Sequence, residues 1–197
     1  MRRVIDFVLA AAGLLVVWPL VMGLALWILL DSPGSPFYSQ TRIGRYGRPF
    51  RLYKLRSMRP VDGLESGLTH GNDDPRITRV GRWMRRTKLD ELPQLWNVVR
   101  GDMALVGPRP EVPEFVARYT EEQREVLRAR PGLTDPASLA AFDEGSELAA
   151  VEDPEAHYLE VIMPRKVADQ IAYLRSRTLA SDAALIARTV LRIFRKG

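Results

Sequence analysis

From Val4 to Leu30 the chain carries 27 consecutive residues that are almost wholly apolar, with Asp6 the only charge among them. No other stretch of the 197 residues comes near it, and any fold must find a place for it. The run is too long for the core of a signal peptide and lacks a clear small-residue cleavage site, so it is expected to stay in the mature protein. As one straight helix it would be about 40 Å long, against ~30 Å of bilayer hydrocarbon. A tilted single span fits that length. Pro19, near the middle, offers another shape: two helical arms meeting at a bend inside the bilayer.

Charge separates the two shapes. Arg2 and Arg3 precede the run, and from Ser32 to Pro60 come Arg42, Arg45, Arg48, Arg51, Lys54, Arg56 and Arg59 with no acid. The positive-inside tendency draws both flanks to the cytoplasm. A single span cannot satisfy both; a re-entrant hairpin can. Across the whole chain the net charge is +5 and the sequence pI about 9.8, which suits an anionic partner such as nucleic acid, a phosphorylated substrate or an anionic membrane face. The absence of cysteine excludes disulfides and thiolate metal sites and allows a reducing compartment.

Beyond the turn-rich Ser32–Pro36, the stretch Phe37–Met58 reads as extended chain with glycine turns at Gly44 and Gly47, a hairpin. Lys54 and Arg56 lie two apart, so on a strand they share one face. Val61–Asn72 is polar and glycine-rich and reads as a mobile loop; its His70 has no second ligand near in sequence. Asp73–Ile77 opens a basic helix whose apolar positions Ile77, Val80, Trp83 and Met84 alternate with arginines, the pattern of an interfacial helix. That pattern also suits nucleic acid, but no DNA- or RNA-binding motif accompanies it. One amphipathic helix is expected between Pro113 and Arg130, another from Tyr158 to Arg177 with an interruption at Pro164, and a last one from Ser181 to Arg195.

The densest chemistry lies between Arg85 and Pro110. Asp90 and Glu91 follow a cluster of cations and precede a short apolar helix with Pro93 in its first turn and Gly101 as its stop. A helix N-terminus favours ionised carboxylates and attracts phosphate. Farther on, Arg109 is fixed between Pro108 and Pro110. Taken singly, an acidic pair at a helix start is a cap and a proline-flanked arginine a surface loop; together they suggest phosphoryl chemistry.

Leu89-Asp90-Glu91-Leu92-Pro93-Gln94-Leu95-Trp96-Asn97-Val98, followed by Gly101-Asp102-Met103 and Val106-Gly107-Pro108-Arg109-Pro110, resembles the signature of the bacterial sugar transferases, the monotopic phosphoglycosyl transferases. Gln40–Gly44, Lys54–Met58 and Arg130–Thr134 also resemble family motifs. The likeness implies a mainly helical α+β fold: a re-entrant membrane helix-break-helix (1–31), then a membrane-surface catalytic domain (32–197) with interfacial helices and a short β-hairpin. It implies transfer of a sugar-1-phosphate from a UDP-sugar to polyprenyl phosphate, giving polyprenyl-diphosphate sugar and UMP, an EC 2.7.8 type of reaction. The setting implied is the cytoplasmic face of a bacterial inner membrane, at the first membrane step of surface glycan assembly.

On this resemblance Asp90 is the nucleophile and Glu91, beside it, a ligand of Mg²⁺. Arg85, Arg109, Lys54 and Arg56 bind phosphate or nucleotide, and Pro108 and Pro110 shape the turn. Two departures stand out. The family often has Ser-Pro at the membrane bend where this chain has Trp18-Pro19, and many members continue Gly-Trp after the Arg130–Thr134 motif where this chain has Asp135-Pro136. Two rival readings remain, a metal-dependent phosphohydrolase and a non-enzymatic basic protein of the membrane surface. Sugar identity and homo-oligomerisation stay open.

Overall fold

The computed structural model describes residues 1–59, 74–140, 147–148 and 150–196; the loop expected at Val61–Asn72, with His70, lies outside them. The apolar run forms α1 (Arg2–Asp31), one helix that passes through Pro19 without ending there. The expected break at Trp18-Pro19 is therefore not an interruption of the helix. Proline removes one backbone hydrogen bond and crowds the preceding turn, which can bend a helix without terminating it.

One stripe of α1 is buried and the rest is bare. Val21, Leu24, Ala25 and Ile28 pack with Leu55, Val80 and Met84; Ala10 packs with Leu52, Leu95, Val98 and Met103. These positions recur every three or four residues, as one helix face requires. Each fully buried aliphatic contributes about 1.5–3 kcal/mol. The opposite face leaves Val8, Leu15, Val16, Leu26 and Leu30 exposed.

Both ends of the helix are tied to the same body. At the start, the Arg3 guanidinium donates to the carbonyls of Val98 and Val99, and Arg2 pairs with Asp182 at 3.2 Å. At the end, Trp27 stacks on Trp83 at 5.6 Å between centroids, and Arg56 donates to the carbonyls of Ser32 and Pro33.

The expected hairpin is present: β1 (Phe37–Ile43) pairs antiparallel with β2 (Pro49–Leu55), Phe37 opposite Leu55 and Ile43 opposite Pro49. Next come α2 (Arg79–Thr87), capped by the Thr78 side chain, and α3 (Gln94–Arg100), closed by Gly101 in the left-handed region. A second small sheet joins β3 (Ala104–Val106) in parallel to β4 (Gly132–Thr134).

Between those strands the single helix expected over Pro113–Arg130 is instead α4 (Pro113–Val116), a turn, and a 3-10 segment Gln123–Arg128. Thr120 and Gln123 exchange side-chain-to-backbone hydrogen bonds, a capping box that restarts the chain there. The segment still sends an apolar face into the core, with Phe115, Val116, Tyr119 and Val126 buried.

The chain continues through α5 (Pro136–Ala140), α6 (Pro154–His157), a π-helical turn at Tyr158–Ile162, α7 (Met163–Ser176) and α8 (Leu179–Lys196). The irregularity expected at Pro164 falls in the wide turn just before it, as suits a residue with no N–H to give. The fold is thus mainly helical with a small amount of sheet.

Candidate active site

Asp90 and Glu91 lie in a one-turn 3-10 segment, Leu89–Glu91, between α2 and α3. Lys88 enters that turn at φ 58°, a left-handed conformation that a non-glycine residue holds at a cost of about 1–2 kcal/mol. Leu89 and Leu92 turn inward against the α1 cluster. Between these two apolar anchors the carboxylates are directed to one place, and both residues are buried.

Glu91 Oε1 is the junction. It accepts from Lys54 Nζ at 3.0 Å and from an Arg109 terminal nitrogen at 2.7 Å. Three separate elements therefore converge: β2 brings Lys54, the 3-10 turn brings Glu91, and the turn after β3 brings Arg109. Lys54 and Arg109 keep 22% and 31% of their side chains accessible, so the cluster opens to solvent on their side.

Asn97 sets the register of two of these elements. Fully buried, it accepts from the Tyr53 N–H at 3.1 Å and donates to the Arg51 carbonyl at 2.7 Å, sewing α3 to the edge of β2 one residue from Lys54. The asparagine is legible in the sequence only as part of the Leu-Trp-Asn-Val string; its role comes from the fold.

The Arg109 turn is built by close backbone approach. Gly107 N–H donates to Thr134 and Gly132 N–H to the Pro108 carbonyl. A Cβ on Gly132 would sit 2.1 Å from the Gly107 nitrogen, which backbone cannot accommodate. Pro108 and Pro110 are buried while Arg109 between them reaches out to Glu91. Arg42 donates to the Pro110 carbonyl at 3.2 Å and faces Glu111 at 3.6 Å. Glu111 in turn accepts from the Tyr158 hydroxyl. This layer behind the turn is not apparent from spacing, because its members are 47 or more residues apart.

The two carboxyls differ electrostatically. Burial pushes the Asp90 carboxyl above its usual range, against the opposing pull of Lys54 and with a further upward push from Glu91. Burial acts on Glu91 too, but Arg109 and Lys54 outweigh it and hold that carboxyl well below the usual range. Glu91 is thus the fixed anion of the pair. Asp90 Oδ1 is buried with no hydrogen-bond partner among the described residues, as are Gln94 Nε2 and Arg42 Nε nearby.

Two adjacent carboxylates with one orphaned oxygen fit Mg²⁺, which takes one or two protein carboxylates and completes its shell with water and substrate phosphate. No group of three or more His, Cys, Asp or Glu gathers among the described residues, so the remaining ligands would have to be of that kind.

The other basic residues divide. Arg85, on α2, makes one side-chain hydrogen bond among the described residues, to the Met58 sulfur at 3.7 Å, and is one of the charges acting on Asp90, so its guanidinium is available beside the dyad. Arg56 is not brought there. β2 ends at Leu55, the two-residue strand spacing with Lys54 is lost, and Arg56 lies buried on the carbonyls that follow α1. The acidic pair also owes little to a helix dipole, since α3 has only seven residues; side-chain cations supply the field.

Convergent carboxylates and cations of this kind define a phosphate-directed site, carried here on a domain with a long, half-bare apolar helix. The chain belongs to the bacterial sugar transferase family, whose model matches residues 1–196. It is 40% identical over 201 aligned positions to a UDP-glucose:undecaprenyl-phosphate glucose-1-phosphate transferase of Caulobacter vibrioides, covering 96% of this chain and 68% of that protein. It is 32% identical to the Escherichia coli protein of the same name, over 98% of this chain and 40% of the relative. An undecaprenyl-phosphate galactose phosphotransferase of Salmonella typhimurium is 39% identical over 68% of this chain and 31% of its own length.

Proposed function

We propose that this protein transfers a sugar-1-phosphate from a UDP-sugar to a polyprenyl phosphate such as undecaprenyl phosphate. The observation that carries the reading is the Lys54–Glu91–Arg109 junction beside the unpartnered Asp90 oxygen. Lys54, Arg85 and Arg109 bind and orient the diphosphate; the planar fork of arginine suits paired phosphate oxygens. Asp90 carboxylate attacks the β-phosphorus. The bond from that phosphorus to the bridging oxygen breaks, and UMP leaves with the electron pair. An oxygen of the polyprenyl phosphate then attacks the same phosphorus, the acyl–phosphate bond breaks, and the Asp90 carboxylate is restored. Mg²⁺ bound by Glu91 and Asp90 would offset diphosphate charge. The test is incubation of purified protein with a panel of UDP-sugars, with and without undecaprenyl phosphate. Repeated turnover to UMP that depends on the lipid is expected, with at most one UMP per enzyme in its absence, and turnover equally fast without it would favour a phosphohydrolase.

The same proposal places α1 in the membrane as a re-entrant element, bent at Pro19, with the catalytic domain on the cytoplasmic face of the inner membrane. What supports it is that both ends of α1 are tied to one body, which in a span would have to lie on both sides of ~30 Å of hydrocarbon. All four tryptophans, Trp18, Trp27, Trp83 and Trp96, are between 42% and 51% exposed, as befits rings at a lipid–water boundary. Arg2→Cys in this cysteine-free chain tests the topology: an impermeant thiol reagent should label it only after lysis, and labelling in intact cells would mean a spanning helix.

A further inference from the structure

Away from the Asp90–Glu91 cluster, at the opposite end of α1, lies a half-open cavity of about 530 Å³, a size that suits a small ligand or headgroup. None of Lys54, Asp90, Glu91 or Arg109 lines it. Seven arginines do, against three carboxylates, an excess of four positive charges.

The way those arginines are held is informative. Arg3 donates to the Val98 and Val99 carbonyls, Arg45 to the carbonyl of Arg128, Arg130 to that of Gly101 and Arg177 to that of Val106. A carbonyl fixes a guanidinium in space but leaves its charge un-neutralised. Of these arginines only Arg2 and Arg175 are in ion pairs among the described residues, with Asp182 and Glu125, while Asp6 acts on Arg3 and Arg177 from a greater distance. The cations are thus set in place around a space with most of their charge and many of their N–H groups unspent.

One wall is apolar and comes from α1 itself. Ile5 and Leu9 line the cavity, yet are 40% and 51% exposed, and they adjoin the bare face that holds Val4 and Val8. A ligand seated there meets cations at one end and lipid-facing helix at the other.

We propose that this cavity is a second lipid site, binding the phosphodiester headgroup of an anionic phospholipid whose acyl chains lie along α1. The proposal rests on the membrane reading of α1. The acceptor polyprenyl phosphate is the less fitting occupant, since its phosphate must reach Asp90, and Asp90 is not in this cavity.

The test uses the full chain in neutral detergent micelles, titrated with phosphatidylglycerol and read as bound lipid per chain by native mass spectrometry. One phosphatidylglycerol per chain is expected, with phosphatidylcholine retained poorly and inorganic phosphate unable to displace the lipid at tenfold excess. Arg45→Gln should weaken binding about fivefold, the effect of one basic residue near an anionic lipid. Arg128→Glu, at an exposed side chain, should weaken it more. Arg118→Gln, exposed and outside the cavity, should change nothing. Equal retention by the Arg45 and Arg128 variants would overturn the site, as would equal binding of phosphatidylcholine. Displacement by inorganic phosphate would make it a free-anion site, and displacement by equimolar undecaprenyl phosphate an acceptor site; either result overturns the assignment. Partitioning of the wild-type chain between detergent and aqueous phases is read separately, so failure of the membrane reading is distinguishable from failure of the cavity.

Discussion

The Asp90–Glu91 cluster and the arginine cavity are both rich in cations, yet they use them in opposite ways. In the cluster, Lys54 and Arg109 spend their charge on one carboxylate oxygen of Glu91. In the cavity, Arg3, Arg45, Arg130 and Arg177 are anchored by backbone carbonyls and keep their charge. Pairing gives tight geometry and sets apart the ionisation of two neighbouring acids. Carbonyl anchoring gives a standing positive field. Counting basic residues would not distinguish the two places; the identity of each acceptor does.

The largest effect that would break this contrast concerns Asp90. Asp90→Asn should lower turnover by at least about a thousandfold with the fold retained, because a carboxamide of the same shape cannot serve as nucleophile. Mass spectrometry of the wild type given UDP-sugar without acceptor should find a phosphosugar adduct on Asp90. Substantial turnover by the Asn variant would remove the distinction between reacting and fixed acid.

Arg109→Lys should be next, lowering kcat/KM for UDP-sugar about 10- to 100-fold although charge is kept, since lysine lacks the planar fork. Near-normal activity would mean that only charge matters at this turn, making it more like the cavity than supposed.

A smaller effect appears in pH dependence. The nucleophile must be ionised, so kcat/KM should fall as pH drops through the Asp90 pKa, at a higher pH than for an ordinary aspartate because burial raises it. Lys54 stabilises the Asp90 anion, so Lys54→Met should move that acid limb to higher pH. Glu91 repels it, so Glu91→Gln should move the limb lower. Unmoved limbs in both variants would place the controlling ionisation elsewhere.

The smallest effect lies on the cavity side. Arg3→Gln should cost about 1–2 kcal/mol in denaturant unfolding, because two carbonyls at the end of α3 lose a charged donor. Arg128→Glu, whose side chain is exposed, should stay within about 0.5 kcal/mol of wild type.

Much of the Asp90–Glu91 cluster was readable because its residues are close in sequence. Asp90, Glu91 and Arg109 fall within one run, and the glycines at 44 and 47 announce the hairpin that delivers Lys54. Arg56, expected on the same strand face as Lys54, lies instead on the carbonyls after α1, because β2 ends at Leu55. The split of 113–130 was signalled by Thr120 and Gln123, but an apolar face that reads as continuous concealed it. The cavity was out of reach altogether. Its walls come from residues between 2 and 186, and a guanidinium's choice of a carbonyl over a carboxylate has no local sequence signal.

The double tether of α1 bears on how the molecule is made. The helix leaves the ribosome before the elements it packs on, and its buried stripe has nothing to lie on until α2, α3 and β2 exist. Its Arg2 end waits longer still, for Asp182. At synthesis rates of about 5–20 residues per second, that interval is on the order of ten seconds or more. During it the bilayer surface, or a chaperone standing in for it, must shelter both faces of the helix. An element made before its partners is therefore among the last to be locked in place, and any change that slows docking of α7 and α8 prolongs the exposure of the most apolar segment of this sequence.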